Sequence, residues 1–500
     1  MIDSDRREST TMTTDTRFSL ARLRPVALLL GSALLAACAT VGPDYPGPPP
    51  VGTGSGWTAQ PVEAAAPVDL AHWWSTLGDP VLERLIETAL ARNLDLRLAA
   101  ARIDEARALR DRVAGDRAAV AGIGASVTRR RQSENGPLPV GSIPGLDATQ
   151  TIYDAGFDAA WEADLFGAKH RALEGADARL QASEIDAQGV RMRIAAEVAR
   201  AWFSAAGAAE ELRTQQAMLG TLQQSVDLVR RRADLGDASQ ADVETARAQW
   251  AAADAALPEI RARRRAAALS LGVLLGAPPE QELALLDAAA SPLELRALPV
   301  GERAEVLRRR PDVLAAERQL AARTADIGVA TAELFPKLTI GVGGGFQALG
   351  TGDWFNASSA RFSLVPLISW RLFDGGRVRA EIRAREAGAR QAAIAYEQAV
   401  LAALGDAERA LGDYGAGLDT LQRRQAALAA TRRSHVHAKA RFAAGDIALI
   451  ELLAAERLLL EAETASARAR TTAAVQLVAL YKALGGGWDA PAVAAAPASP

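Results

Sequence analysis

Asp242 stands six residues after Gly236, and Glu451 stands six residues after Gly445. Arg232 and Arg441 come just before those two glycines. An acid in a helix's first turn and an arginine in a helix's last turn both complement the backbone dipole, so all four have an ordinary structural use. Little else in the chain is equipped for chemistry. There is no Gly-x-x-x-x-Gly-Lys-Ser/Thr loop, which argues against nucleotide hydrolysis. His435 and His437 are two apart on a helical stretch and point to different faces, a poor metal pair. No Gly-x-Ser-x-Gly elbow and no Cys/His nucleophile pair stands out. These residues predict neither an enzyme nor a resident cofactor or metal. The 57 basic and 60 acidic residues are interleaved, which argues against nucleic acid as a partner.

The single cysteine bears on the compartment. Arg22 and Arg24 precede the apolar run from Val26 to Leu35, which ends in Ala36-Ala37-Cys38. The run is too short for a permanent membrane helix but fits the apolar part of a secretory signal. Leu35-Ala36-Ala37-Cys38 resembles a bacterial lipobox, in which the cysteine becomes the acylated first residue of the mature chain. A structural thiol in an ordinary signal sequence is the alternative. Ala39 follows, and the resemblance implies that a residue other than Asp there lets sorting proceed to the outer membrane. Residues 1–37 are thus expected to be a signal peptide, with Met12 an alternative start, and 38–70 an extended, lipid-anchored tether rich in Pro and Gly.

The elements that must position these residues come in two copies. Trp161 and Trp370, Arg232 and Arg441, and Gly236 and Gly445 are each 209 positions apart. Each copy reads as strands followed by a very long helical hairpin. The first repeat covers 71–290, with strands at 120–131 and 149–162 and a hairpin over 168–275, in which Pro258 should bend or break the returning arm. The second covers 291–485, with strands at 337–347 and 361–373 and a hairpin over 377–484. Residues 486–500 read as a disordered tail. Pro311 sits where a first-turn proline belongs. A helix of about 67 residues would reach on the order of 100 Å. Its core positions Leu173, Leu180, Ala187, Ile194 and Ala201 repeat every seven residues, then step by eleven to Leu212. Such a stutter straightens a supercoil, which suits the wall of a cylinder.

The strands point the same way. Leu338, Ile340, Val342 and Phe346 share one face, and Thr339, Gly341, Gly343, Gly345 and Gln347 the other. That is the pattern of a barrel wall with lipid outside and water inside; a sandwich with one buried face is the alternative. Four strands are too few to close a barrel, for which about eight is the practical minimum, so the chain is expected to oligomerise.

Several stretches resemble the outer-membrane factors of tripartite efflux systems, the TolC/OprM-like channels, in their lipoprotein branch. They are Cys38 with Val41-Gly42-Pro43-Asp44-Tyr45, Trp73-Trp74 with Leu77-Gly78-Asp79-Pro80, and Phe157 through Gly167. Leu274-Leu275-Gly276-Ala277-Pro278-Pro279, Arg309-Arg310-Pro311-Asp312-Val313 and Leu334-Phe335-Pro336-Lys337-Leu338 complete the set. The resemblance implies a mainly α chain with a transmembrane β-barrel: a homotrimer with twelve strands in the outer membrane and twelve helices around a periplasmic tunnel. It implies a passive exit duct for small molecules, served by a periplasmic adaptor and an inner-membrane transporter of the RND type. A duct for type I protein secretion is the alternative within the fold, and a periplasmic coiled-coil scaffold lipoprotein the alternative outside it.

The resemblance also implies roles for the residues at the turns. Gly236 and Gly445 would be hairpin tips at the periplasmic entrance, where Arg232 and Arg441 bridge helices or meet the adaptor. Asp242 and Glu451 match the spacing at which relatives carry pore-facing carboxylates. Three-fold symmetry would make each a ring of acids. Some relatives carry a further acid at the position of Ala454, so the ring here would be thinner. Plain dipole complementarity remains the alternative for all four charged residues.

Overall fold

The computed structural model describes residues 40–54, 56–58, 70–133, 147–281, 283, 293–298 and 300–489. Cys38, and with it the lipobox, lies outside them. Two compact units emerge, each assembled from both repeats. One comprises Met1–Asp44, Val113–Leu173 and Ala325–Ala384; the other comprises Tyr45–Arg112, Glu174–Thr324 and Arg385–Pro500.

In chain order the elements are helices α1 (Pro80–Arg92) and α2 (Leu94–Gly115), then strands β1 (Val120–Arg131) and β2 (Thr149–Ala163). The first hairpin follows as α3 (Ala168–Asp234), α4 (Gln240–Asp254) and α5 (Leu257–Leu274). The second half repeats the plan with α6 (Arg303–Arg309), α7 (Pro311–Ala332), β3 (Lys337–Ala348) and β4 (Ala360–Ser369). It ends with α8 (Arg377–Ala444) and α9 (Leu449–Ala483). The returning arm of the first hairpin breaks at Ala255-Ala256, and Pro258 lies in the first turn of α5, where its missing N–H leaves no bond unmade.

The first unit is built on one antiparallel sheet in the order β1-β2-β3-β4. Its register aligns Ile123, Phe157, Gly344 and Phe362 in a single row across all four strands. Gly344 is there for room, because a Cβ would come 2.9 Å from the Phe157 ring. The fourth strand stops at Ser369 rather than at 373. Ser369 pairs with Lys337, the first residue of β3, so Trp370 to Phe373 have no strand to pair with. Beside the sheet, Val41 N–H donates to the Phe166 carbonyl at 3.1 Å, Arg171 pairs with Asp44, and Phe166 stacks on Phe335 at 4.6 Å.

The second unit holds the main core. Trp73 and Trp74 sit in a short 3-10 turn and pack against Leu82, Ile86, Ile194, Val198, Leu477 and Leu480, all buried. Trp73 stacks on Tyr481 with centroids 4.8 Å apart. Asp79 is buried yet fully used. Its Oδ1 caps α1 by accepting from the Val81 and Leu82 N–H groups, and its Oδ2 accepts the Trp202 indole at 2.9 Å.

Two segments outside the helices and strands are packed along part of their length. Residues 40–58 of the expected tether form no helix or strand, but Val51 packs beside Val313 and Val400, and Trp57 donates to the Gly301 carbonyl at 2.8 Å. Residues 486–489 of the expected tail are held as well. Gly486 N–H donates to Tyr481, Gly487 N–H donates to Leu70, and the buried Trp488 indole donates to the Arg309 carbonyl at 3.1 Å. Residues 486–489 thus depart from the expected disorder, and in both segments the aromatic among the small residues supplies buried area that composition averages out.

Candidate functional site

The two hairpin turns, which carry Arg232, Gly236, Arg441 and Gly445, have the same geometry. Gly236 (φ +81°) and Gly445 (φ +83°) are left-handed, with open space where a Cβ would stand, so it is the backbone conformation that selects glycine. Asp237 N–H bonds to the Arg232 carbonyl at 2.8 Å, and Asp446 N–H to the Arg441 carbonyl at 2.9 Å. Gly236 and Gly445 donate to Ala233 and Phe442, each at 3.1 Å. Both are Schellman terminations, which satisfy the last carbonyls of α3 and α8. The arginine side chains differ. Arg232 rests over the Phe442 ring, whereas Arg441 is exposed and makes no ion pair among the described residues.

Asp242 and Glu451 both fall three residues into the returning helix. Asp242 accepts from Ser239 N–H at 2.9 Å and from Ser239 Oγ–H at 2.8 Å, while its own N–H donates back to Ser239 Oγ at 3.2 Å. This reciprocal capping box holds the Asp242 carboxyl below the usual carboxylate range, through the Ser239 backbone bond first and its hydroxyl second. Glu451 makes half of that arrangement. It accepts the Ala448 N–H at 3.3 Å, but Ala448 offers no side-chain acceptor in return.

Away from the turns, two buried carboxylates join the hairpins. Glu211 on α3 receives Arg263 of α5 at 2.8 Å and Arg468 of α9 at 2.6 Å. Glu456 on α9 is only 3% exposed, and both its oxygens lie 3.1 Å from Ser225 Oγ on α3. Burial raises the Glu456 carboxyl above its ordinary range, with the Ser225 bond and the Lys439 charge opposing. Both carboxylates line one cavity of about 710 Å³, together with Leu222, Ile260, Arg424 and Leu460. Sequence reading had singled out neither acid, because partners 52 to 257 residues away leave no local spacing to detect.

The sheet's two faces are unlike. On one lie Ile123, Val127, Phe157, Trp161, Val342, Phe362, Leu364 and Ile368, all exposed. On the other, Arg361 holds Asp154 through two bonds of 2.7 and 3.0 Å, and Gln347 joins them at 2.9 Å. The duplicated tryptophans do matching work. The Trp161 indole donates to the Arg117 carbonyl just beyond α2, and the Trp370 indole to the Leu334 carbonyl just beyond α7. Among the described residues no helix is long and apolar enough to cross a membrane, and no group of His, Cys, Asp and Glu could hold a metal ion.

Residues 85–277 and 303–486 match the family described as Outer membrane efflux protein. The chain belongs to that family. The pyoverdine export outer membrane protein OpmQ of Pseudomonas putida is 33% identical, over 93% of this chain and 98% of that one. Outer membrane protein OprJ of Pseudomonas aeruginosa is 32% identical, over 93% and 96% respectively. The solved outer-membrane channel OprN superposes with a TM-score of 0.80 at 36% identity, covering 90% of this chain and 100% of its own. The fold is therefore the mainly helical, TolC-like one. This efflux protein is the outer-membrane exit duct of a tripartite efflux system, seated in the outer membrane and reaching into the periplasm. The family is one of ducts, which work alongside adaptor and inner-membrane components.

Proposed function

We propose that three copies of this efflux protein close a twelve-stranded barrel, and that their six hairpins line a twelve-helix periplasmic tunnel. One observation carries this reading. The four-stranded sheet exposes a continuous apolar face and leaves β1 and β4 as open edges within the chain. Open, flat, hydrophobic edges are liabilities that closure removes, and four strands cannot close alone. Each chain contributes its two repeats, 71–290 and 291–485, as two near-equivalent sectors of the wall. Crosslinking in detergent tests this directly. A cysteine pair placed across β1 and β4 of neighbouring copies should give a covalent trimer, and a species that stays monomeric and water-soluble would sink the proposal.

The finer assignments follow from this assembly. Residues 1–37 are removed as a signal peptide, Cys38 carries covalent lipid, and 38–70 lead from the anchor to the body. Asp242 and Glu451, held at the starts of the returning helices by their caps, form acidic rings at the periplasmic gate. Arg441, exposed beside Gly445, and the turn at Gly236 face the adaptor, and Arg232 ties the two turns together. The inner-membrane partner is a transporter of the RND type, and the cargo consists of small molecules passing without energy supplied by the duct. Mass spectrometry of the mature N-terminus tests the lipid on Cys38.

A further inference from the structure

The cavity that Glu211 and Glu456 share is long, because its lining on α9 runs from Glu456 to Thr472. Helix of that length, at 1.5 Å per residue, spans about 24 Å. Small side chains leave the space open: Ala252, Ala253 and Ala256 where α4 gives way to α5, and Ala465 and Ala469 on α9. The break between α4 and α5 is held from α3, where the Gln215 amide donates to the Ala253 carbonyl at 2.7 Å. Leu222, Ile260 and Leu460 add apolar surface. All of these residues belong to one chain, and they come from both of its hairpins.

Charge is separated along this length. Arg432 meets Glu463 at 2.9 Å, and a Cβ on Gly417 would stand 3.6 Å from Ala473. That antiparallel register sets Arg424 of α8 level with Arg468 of α9, about 18 Å along the helix from Glu456. At the arginine end both Glu211 oxygens are engaged, Oε1 by Arg468 and Oε2 by Arg263. Arg424, exposed on α8, makes no ion pair among the described residues. Between the ends Arg457 and Glu461 pair with each other at 3.2 Å. Glu456 forms no ion pair among the described residues either. Lys439 acts on it at longer range, but its two oxygens share the single hydroxyl of Ser225. One proton serves one oxygen, so this buried carboxylate keeps acceptor capacity. Gln249, also in the wall, has a buried side-chain oxygen with no donor.

We propose that this cavity binds a linear zwitterion, with its ammonium at Glu456, its carboxylate at Arg424 and an unbranched apolar chain between them. An ammonium group brings the donors and the charge that a buried carboxylate lacks, and a guanidinium fork matches a carboxylate. At about 710 Å³ the cavity has the size of a small-molecule site. Its walls come from α3, α4 and α5 of the first hairpin and α8 and α9 of the second, so an occupant ties the hairpins together. The site goes beyond the exit-duct reading and requires no residue from a neighbouring copy.

The test uses the full-length protein in phosphatidylcholine nanodiscs and equilibrium dialysis of ω-aminoundecanoate, with empty nanodiscs subtracted. One molecule should bind per chain. Acetylating the probe's amine, or esterifying its carboxylate, should each weaken binding about tenfold, one decade of affinity. The shorter ω-aminohexanoate, unable to reach both ends, should lose as much. Glu456→Gln keeps a partner for Ser225; it should weaken the parent probe by the same factor and leave the acetylated probe unchanged. Arg424→Gln should do likewise, with the ester as its indifferent probe. Arg423→Gln, on α8 but outside the cavity, should bind as the wild type does. The probe series on the wild type decides the question even where a variant fails to fold. No saturable binding, equal affinity for the parent probe and its acetylated or esterified forms, or an equal loss in Arg423→Gln would each overturn the site.

Discussion

The Arg232 guanidinium carbon lies 4.9 Å from the centroid of the Phe442 ring, so the turn of the first hairpin is pinned to the turn of the second by a cation resting on an aromatic. The pin exists once per chain. At the position equivalent to Phe442 the first repeat carries Ala233, so the duplicated turns share a backbone and differ in what they hold. A cation over an aromatic face contributes about 0.5–2 kcal/mol. Truncating a buried Phe to Ala costs about 3–5 kcal/mol. Phe442→Ala should therefore loosen the turns, read as a higher resting open probability in planar bilayers and faster proteolytic nicking at 232–240. Arg441→Gln, which removes no such contact, should leave both readouts unchanged and act only on export with the adaptor present.

Asp242 and Glu451 make a second test, because capping and gating predict different results. Loss of the Asp242 half of the capping box should loosen the first turn of α4 at Ser239. Asp242→Ala with Glu451→Ala should also raise single-channel conductance or weaken block by polyvalent cations, if the carboxylates line the pore. Unchanged conductance and block would leave capping as their whole role. The Asp242 carboxyl is depressed by its Ser239 bonds, so its contribution is present above the unfolded carboxylate pKa. That contribution is lost as pH falls through the lower folded value. The helix start at Ser239 should thus fray in strong acid, followed by amide hydrogen exchange at 240–243.

Gly236 and Gly445 should be intolerant of a Cβ for conformational reasons alone. Nothing lies within 4 Å of either position, so Gly→Ala meets no clash. The left-handed backbone still costs roughly 1–2 kcal/mol for an L-residue. Asn, which visits that region readily, should recover most of the loss. Melting temperatures of Gly445→Ala and Gly445→Asn compare the two directly.

How much of this was legible in sequence depends on the range of the signal. The long helices, the strand alternation and the turn glycines are written in local periodicity, and the 209-residue offset shows the second copy. Lys337 sets where β4 ends, but only through pairing with Ser369, which no pattern within 361–373 reveals. Trp57 and Trp488 lie in Pro/Gly- or Ala-rich surroundings whose averages read as loose chain, yet each indole finds a distant carbonyl. At the turns, the acids and arginines were visible by spacing. Their partners were visible only where they were local: Ser239 was within reach of inspection, and Phe442 was not.

Glu456 gives the sharpest prediction, because its burial has a sign. Its carboxyl is raised by desolvation, so the folded state holds the proton more tightly than the unfolded one. The destabilising effect is absent below the ordinary carboxylate pKa of about 4.3. It grows as pH rises through the raised folded value and is constant above it. Glu456→Gln keeps a hydrogen-bond partner for Ser225 and carries no charge, so it should match the wild type in acid and be the more stable of the two at neutral pH. Subtracting the two melting curves at each pH removes the contribution of every other titrating group. A difference that grows as pH rises above the ordinary carboxylate pKa supports a seam between α3 and α9 that loosens as Glu456 ionises. Lys439 opposes the burial by favouring the charged form, so Lys439→Met should steepen the dependence. A difference that stays flat across that range would mean Glu456 is already solvated or neutralised in the assembled duct, and that ionisation has no hold on the seam.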